Sequence, residues 1–116
     1  MNQLMSIFKT LSDETRLRII ILLYQEELCV CELCGILKAP QPRISKNLSK
    51  LRDMNLVEDN RKEKFVFYSL KKENKLLLSI VEYIVGDLKN YPQLVIDSNR
   101  LKDKEQYLSQ CKIICD

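Results

Sequence analysis

The sequence predicts a mainly α-helical (α+β) fold with about five to six helices and one β-hairpin. Apolar residues recur at helical spacing along most of the 116 residues. Between residues 56 and 70 the pattern changes to two short runs, the second rich in aromatic and β-branched side chains, as in strands. A chain of this length accommodates one domain with a modest core.

The first two helices are predicted from apolar spacing and from a capping residue. One face of the first helix carries Leu4, Ile7, Phe8 and Leu11. Ser12 is the predicted N-cap of the second helix, with Asp13 and Glu14 in its first turn. Residues 17–23 are almost all apolar, which predicts a central helix packed on several sides.

A helix-turn-helix is predicted in the middle of the chain. Residues 31–37 form a short third helix, and Pro40 and Pro42 allow a new helix that runs to about Met54. The apolar positions of this helix share one face, so its opposite face presents Arg43, Lys46, Ser49 and Lys50. Two short helices joined by a tight turn, the second basic and polar outward, match this DNA-binding motif.

The remaining elements predict a wing and a dimer. Residues 56–60 and 65–70 are strands joined by the charged residues 61–64, and a β-hairpin after a helix-turn-helix is a wing. A long helix over residues 73–90 carries a broad apolar stripe that needs a partner. Pro92 breaks the chain, and a last helix begins near Asp97. We predict a homodimer, because two recognition helices about 34–36 Å apart can reach successive major grooves.

We therefore assign residues 1–92 to a winged helix-turn-helix domain for DNA binding and dimerisation, and residues 93–116 to a C-terminal helical extension. The longest apolar stretch is too short to span a bilayer, which predicts no membrane association. The N-terminus has no basic region followed by a cleavage site, so we expect a cytoplasmic protein.

Positive charge is concentrated in the middle of the chain. Residues 41–72 carry nine basic and four acidic side chains, a net charge of +5, whereas residues 1–40 and 73–116 each carry one more acidic than basic side chain. A local basic patch is typical of proteins that contact phosphates. Direct base contacts are expected from Gln41, Arg43, Ser45, Lys46 and Asn47. Phosphate contacts are expected from Lys50, Arg61, Lys62 and Lys64.

Five cysteines and no histidine limit the chemistry available to the chain. An odd number of cysteines without a secretory signal argues against a disulfide framework and for reduced thiols. Without histidine, most acid–base enzymes become improbable, and we predict that the protein is not an enzyme. Cys31 and Cys34 can share a helix face, but Cys29 joins them only if the first turn of the helix distorts.

The motifs together resemble the ArsR/SmtB family of metalloregulatory repressors. The core of the likeness is residues 27–34, with their C-x-C-x-x-C spacing, followed by residues 41–48. Residues 11–19 resemble the family's second-helix signature, and Phe65–Leu70 resembles its wing strand. Glu63 stands where such wing turns often carry glycine, although a residue with a Cβ resists positive φ.

The resemblance implies a homodimeric repressor that leaves double-stranded operator DNA when a metalloid binds. By motif position, Cys29, Cys31 and Cys34 would be the ligands of the inducer, As(III) or Sb(III), with no organic cofactor. Three soft thiolates suit these ions, and we expect the helix N-terminus to lower the thiol pKa values.

Other functions stay open at this stage. The same fold could serve a redox- or persulfide-sensing repressor, or a sensor of cadmium or lead. A thiol-dependent arsenate reductase is a weaker alternative, because the sequence lacks a phosphate-binding glycine loop. Cys111 and Cys115 could form a second thiol site, although packing along the apolar face of the last helix is the favoured interpretation.

Overall fold

The structure is a computed structural model that describes residues 2–109. In that range the helices are α1 (Asn2–Leu11), α2 (Glu14–Gln25), α3 (Val30–Leu37), α4 (Gln41–Asp53), α5 (Lys75–Val85), α6 (Pro92–Leu101) and α7 (Lys104–Ser109). The strands are β1 (Leu28–Cys29), β2 (Val57–Lys62) and β3 (Phe65–Leu70), and a 3-10 turn covers Leu88–Asn90. None of the helices described is long and apolar enough to cross a membrane. The predicted mainly helical fold with one hairpin is confirmed, although residues 2–109 form seven α-helices rather than the predicted five to six.

Helix α2 is the centre of the core, as its apolar run predicts. Its residues from Ile19 to Leu23 are all buried. Buried side chains of α1, α3, α4, α5 and α6 join the same cluster, together with residues that flank and begin the hairpin. The predicted recognition helix α4 therefore rests on the core through Ile44, Leu48 and Leu51, and its opposite face is largely exposed.

The predicted N-cap of α2 is wrong by one residue. The N-cap of α2 is Asp13, whose carboxylate accepts the Arg16 backbone N–H at 2.9 Å. Ser12 instead donates its hydroxyl to the Lys9 carbonyl at 2.7 Å and so closes α1. Serine and aspartate can both cap a helix. Asp13 caps α2 because it directly precedes the helix and has an extended backbone.

The predicted long helix over residues 73–90 is also shorter than expected. Helix α5 ends at Val85, Gly86 follows as its C-cap, and the chain continues as the 3-10 turn Leu88–Asn90. Glycine weakens helix continuation because it gains the most conformational freedom outside the helix. Pro92 then occupies the first position of α6, which starts five residues before the predicted Asp97.

The wing is a confirmed antiparallel hairpin, with Val57 opposite Leu70 and Lys62 opposite Phe65. Its two-residue turn places Glu63 at φ 58°, so a residue with a Cβ occupies the left-handed region where glycine is usual. A strand that we did not predict, β1, pairs with the other edge of β3 and gives the sheet order β1-β3-β2. The wing is thereby hydrogen-bonded to the segment that begins α3.

A buried ion pair holds the C-terminal helices against the core. Arg18 of α2 donates two hydrogen bonds to Asp97 of α6, each 2.8 Å long, in a bidentate arrangement. Asp97 is only 1% exposed and also accepts from Gln93 at 3.0 Å. The carboxylate raises the pKa of Arg18, in the direction expected for a close opposite charge.

We predict that Asp97→Asn lowers the free energy of unfolding by about 3 kcal/mol, because it leaves the mostly buried Arg18 without its counter-charge. Urea denaturation followed by circular dichroism measures this change. Glu14→Gln is the matched control, since Glu14 reaches the same guanidinium at 3.8 Å from an exposed position; its effect should stay within about 0.5 kcal/mol. Equal losses in the two variants would contradict a structural role for the buried pair.

Candidate nucleic-acid interface and thiol site

Cys29 belongs to two elements at once. It is the last residue of β1, opposite Phe67 in the wing strand β3, and it is also the N-cap of α3. Its sulfur faces the Glu32 backbone N–H, and its own N–H donates to the Glu32 carboxylate at 3.0 Å. This reciprocal capping box fixes the first turn of the helix that carries the other two cysteines of the motif.

The environment of these thiols opposes ionisation. Burial raises the pKa of Cys29 to about 11, and the backbone hydrogen bonds from Glu32 and Cys31 only partly offset it. Burial also raises the pKa of Cys34 and of the Glu32 carboxyl. Our expectation that the helix N-terminus lowers the thiol pKa values is wrong for Cys29 and Cys34, because desolvation outweighs the helix-end field.

The three cysteines of the motif do not share one environment. Cys29 and Cys31 lie in one small apolar cluster with Phe65, Phe67 and Leu108, whereas the half-buried Cys34 packs against the main core. Within residues 2–109, no group of three or more cysteine and acidic side chains is arranged to hold a metal ion. Convergence of the three sulfurs therefore needs the start of α3 to change.

Cys29 and Cys34 are free thiols, in line with the predicted reduced cysteines. The predicted second thiol site, Cys111 and Cys115, lies outside the described residues.

Cys34 is tied by its backbone to the turn of the helix-turn-helix. Its carbonyl accepts the N–H groups of Lys38 and Ala39, which lead into α4. Lys38 adopts the left-handed conformation, with φ 52°, and so ends α3. Cys29 is thus attached to the wing at the start of α3, and the Cys34 carbonyl holds the turn before α4.

A cavity of about 270 Å³ connects the thiol segment with the predicted DNA-binding surface. Cys29 lines it from one side, Gln41 and Ser45 from the start of α4, and Arg61 and Lys64 from the wing. Gln41 also donates a hydrogen bond to the Ser45 hydroxyl at 2.6 Å. A group bound at Cys29 would therefore lie next to side chains that we expect to contact DNA.

The outward face of α4 carries the predicted contact residues. Arg43, Lys46 and Lys50 are exposed, and Gln41 and Ser45 are half-buried. Asn47 differs, because it is only 8% exposed and its amide group is used inside the protein. It donates to the Arg43 carbonyl at 2.9 Å and accepts from Arg16 at 3.3 Å. This position makes Asn47 a residue that orients α4 rather than one that reaches base edges.

The wing supplies the other predicted cations. Arg61, Lys62 and Lys64 are all exposed on β2 and the turn. Lys62 forms an ion pair with Glu27, and its ammonium lies 5.6 Å from the centre of the Phe67 ring. Lys64 stands at the same distance over Phe65. Of these three cations, Lys62 has part of its charge already compensated.

Two further cations extend the basic surface beyond the predicted set. Lys9 and Arg16 line a pocket with a volume of about 330 Å³, together with Lys50 of α4. Sequence spacing does not place α1 and α2 beside α4, so only the packing of the three helices reveals this set. The Arg16 contact with Asn47 is part of the same arrangement.

Comparison with known proteins places this arrangement in a family. Residues 13–59, from the cap of α2 to the middle of β2, match the model described as "Bacterial regulatory protein, arsR family". The BigR transcriptional repressor from Xylella fastidiosa is similar in structure, with a TM-score of 0.64 and 31% identity. The match covers 72% of this chain and 83% of BigR. The chain belongs to the arsR family of bacterial regulatory proteins.

Members named for arsenic resistance are also similar in sequence. The arsenical resistance operon repressor of Escherichia coli K12 is 49% identical over 65 residues, which cover 55% of this chain and 56% of that protein. The arsenic resistance regulator ArsR1 of Pseudomonas putida is 46% identical over 68 residues, 58% of this chain and 53% of the relative. The matched segment thus spans little more than half of these relatives. The family is one of regulatory proteins, and these two relatives are named as a repressor and a transcriptional regulator.

We predict that Arg61→Ala weakens binding to duplex DNA. The slope of log K against log salt concentration should become about 0.9 less steep, because the variant loses one phosphate contact. Fluorescence anisotropy at several salt concentrations measures both quantities. Lys89→Ala is the control, because Lys89 is also exposed but lies in the 3-10 turn rather than on α4 or the wing. The assignment of Arg61 to the DNA interface fails if both variants retain the wild-type salt slope.

Proposed function

We propose that the protein is a homodimeric transcriptional repressor that leaves its operator when trivalent arsenic or antimony binds Cys29, Cys31 and Cys34. The observation that carries the proposal is the double role of Cys29, which ends a strand of the wing sheet and caps the helix that precedes α4. A ligand that pulls its sulfur toward Cys31 and Cys34 must disturb the capping box. Both DNA-binding elements are attached to that point.

The donor set supports a metalloid as the ligand. Thiolates are soft ligands, and the family motif supplies three of them without any histidine. Trivalent arsenic and antimony form stable bonds to sulfur and take three such ligands in a pyramidal arrangement. Phe65, Phe67 and Leu108 pack against Cys29 and Cys31, and both of these cysteines are buried.

Release of DNA would follow from the position of the three residues along α3. Cys29 is attached to β3 through the backbone, and the Cys34 carbonyl holds the turn before Gln41. Bringing their sulfurs together shortens the path along α3 and changes the angle between α4 and the wing. The cavity beside Cys29 is also lined by Gln41 and Arg61. After this change, these side chains would no longer be spaced to contact the same DNA duplex.

The dimer is supported by apolar side chains exposed on two helices. Leu4, Met5 and Phe8 are exposed on α1, and Leu76 and Tyr83 on α5. Several large apolar side chains exposed on a small protein are costly in water and favour an interface. A second copy of the chain, with the same surface, would bury both sets and place two copies of α4 on one duplex.

We predict that arsenite lowers the affinity of the reduced protein for its operator about 5- to 150-fold, the ordinary range of allosteric coupling. The duplex is one that the protein selects from a random library, and anisotropy reports release. Cys31→Ser should stay bound at the same arsenite concentration. The control is the double variant Cys111→Ser/Cys115→Ser, which keeps the proposed ligands and should release as the wild type does. Normal release by Cys31→Ser would show that the ligand set is wrong.

We also predict that the pH dependence of binding separates metalloids from divalent metals. At neutral pH the raised pKa values keep Cys29 and Cys34 protonated. Neutral arsenous acid exchanges each hydroxyl for a thiol sulfur and forms water, so no net proton is released. Cadmium(II) must displace one proton for each of these thiols, so its apparent affinity should rise about tenfold per pH unit for each.

Competition titrations at pH 6.5 and 7.5 measure this difference. Cadmium affinity should rise about 100-fold from Cys29 and Cys34 together, whereas arsenite affinity should change less than about threefold. Cys29→Ser is the control, since serine is a good N-cap that keeps the helix start while it removes one of the two protons. Equal pH slopes for the two ligands would contradict this account of the thiols.

A further inference from the structure

Three helices bring basic side chains together at a place that extends beyond the helix-turn-helix and the wing. Lys9 comes from the last turn of α1, Arg16 from the first turn of α2 and Lys50 from the last turn of α4. All three line the pocket of about 330 Å³ described above. We call Lys9, Arg16 and Lys50 the basic pocket.

The helices that form the basic pocket are joined by contacts of the residues that line it. The buried Thr10 hydroxyl donates to the Ser6 carbonyl at 2.7 Å and lies 3.2 Å from the Met54 sulfur, which connects α1 to the end of α4. The Arg16 guanidinium donates to the Asn47 side-chain oxygen at 3.3 Å and so connects α2 to α4. The three cations are therefore carried by one connected unit.

The positive charge of the basic pocket is not compensated by ion pairs. Within residues 2–109, Lys9, Arg16 and Lys50 form none, although Asp53 also lines the pocket. Arg52, on the same helix as Lys50, does pair with an acidic side chain at 3.3 Å. Like charges that are brought together repel one another, so binding of an anion among them is favourable. A guanidinium has five N–H donors, which leaves Arg16 with donors for such an anion besides the one it already uses.

The position of Lys50 favours the DNA backbone as the source of that anion. A recognition helix inserts its N-terminal residues into the major groove. Lys50 lies seven residues after Arg43, which is about 10 Å further along the helix axis. Because the major groove is only about 12 Å wide, the C-terminal part of α4 lies toward its edge, where the phosphates are. Lys9 and Arg16 line the same pocket as Lys50 and would meet the same phosphate.

We propose that the basic pocket binds a phosphate of the DNA backbone, outside the base pairs that the start of α4 contacts. Such a contact adds affinity without reading the sequence. It also supports the reading of bases, because Arg16 contacts Asn47, and Asn47 donates to the Arg43 carbonyl at 2.9 Å. The proposal rests on the DNA binding that is part of the proposed function, but it does not depend on the metalloid or on the thiols.

Lys9→Gln tests the proposal, because Lys9 is exposed and belongs neither to the helix-turn-helix nor to the wing. The slope of log K against log salt concentration should become about 0.9 less steep for each protomer on the duplex. The affinity should fall about two- to fivefold for each protomer, as for one exposed ion pair. The loss should be the same for a duplex selected from a random library and for an unrelated duplex of equal length. Fluorescence anisotropy at several salt concentrations measures these quantities.

Two variants serve as controls. Lys9→Arg keeps the positive charge and should retain the wild-type salt slope. Lys102→Gln removes an exposed charge that follows α6 and does not line the basic pocket, and it should also bind DNA as the wild type does. An unchanged salt slope in Lys9→Gln, or an equal change in Lys102→Gln, would overturn the proposal.

Ethylation interference locates the contact on the DNA, because ethylation removes the charge of one phosphate at a time. Ethylation of a phosphate beside the bases contacted by α4 should weaken binding of the wild type and have no effect on Lys9→Gln, while the other sensitive phosphates stay sensitive. Identical interference patterns would contradict the contact. Calorimetric titration with inorganic phosphate tests a free anion as the ligand. Micromolar binding of inorganic phosphate that Lys9→Gln abolishes, together with an unchanged DNA salt slope, would assign the basic pocket to a small anion instead.

The same titrations separate this proposal from the proposed function. A wild type that does not bind duplex DNA overturns both. Wild-type DNA binding that Lys9→Gln leaves unchanged overturns only the phosphate contact. Arsenite should release Lys9→Gln and the wild type by the same factor, and a wild type that arsenite does not release overturns the metalloid response while the phosphate contact stands.

Discussion

The reciprocal hydrogen bonding between Cys29 and Glu32 is the constraint on which the regulatory region depends. It fixes the start of α3 with the sulfur of a candidate ligand and, from the same residue, holds the backbone against the wing strand β3. A serine or aspartate would be the ordinary choice for an N-cap. With cysteine as the N-cap, the sulfur that stabilises the start of α3 is also the atom that a soft ion would bind. Binding of the ion would therefore remove the cap.

Burial of the thiols also affects which ligands the site can bind. Phe65, Phe67 and Leu108 surround Cys29 and Cys31, and the cost of desolvation keeps the free thiol of Cys29 protonated well above neutral pH. A sensor that depended on an exposed low-pKa thiolate would react with many electrophiles and metal cations. A protonated, covered thiol favours a neutral ligand that can enter apolar surroundings and exchange oxygen for sulfur. The same cover comes from α7, so the C-terminal extension contributes to the chemistry of the motif.

The sequence predicts those features that depend on local pattern. The apolar run of α2 indicates the centre of the core, the spacing in α4 separates its buried and exposed faces, and the aromatic-rich run at Phe65–Leu70 indicates the wing. The errors have a common physical cause. The strand β1 exists because two residues pair with β3, and Asn47 is buried because Arg16 reaches it from another helix. Both depend on contacts between distant segments, which periodicity does not record.

The predicted direction of the thiol pKa shift is wrong for a similar reason. Proximity to a helix N-terminus is visible in the sequence and favours the thiolate, but the apolar side chains that oppose it come from the wing and from α7. The local field and the distant packing therefore act in opposite directions on Cys29, and packing is the larger effect. Because the packing includes α7, any change that loosens the C-terminal helices admits water to Cys29 and moves its pKa toward the value of a free thiol. The acidity of the thiols and the docking of the C-terminal segment are thus coupled properties, and each is a means of controlling the other.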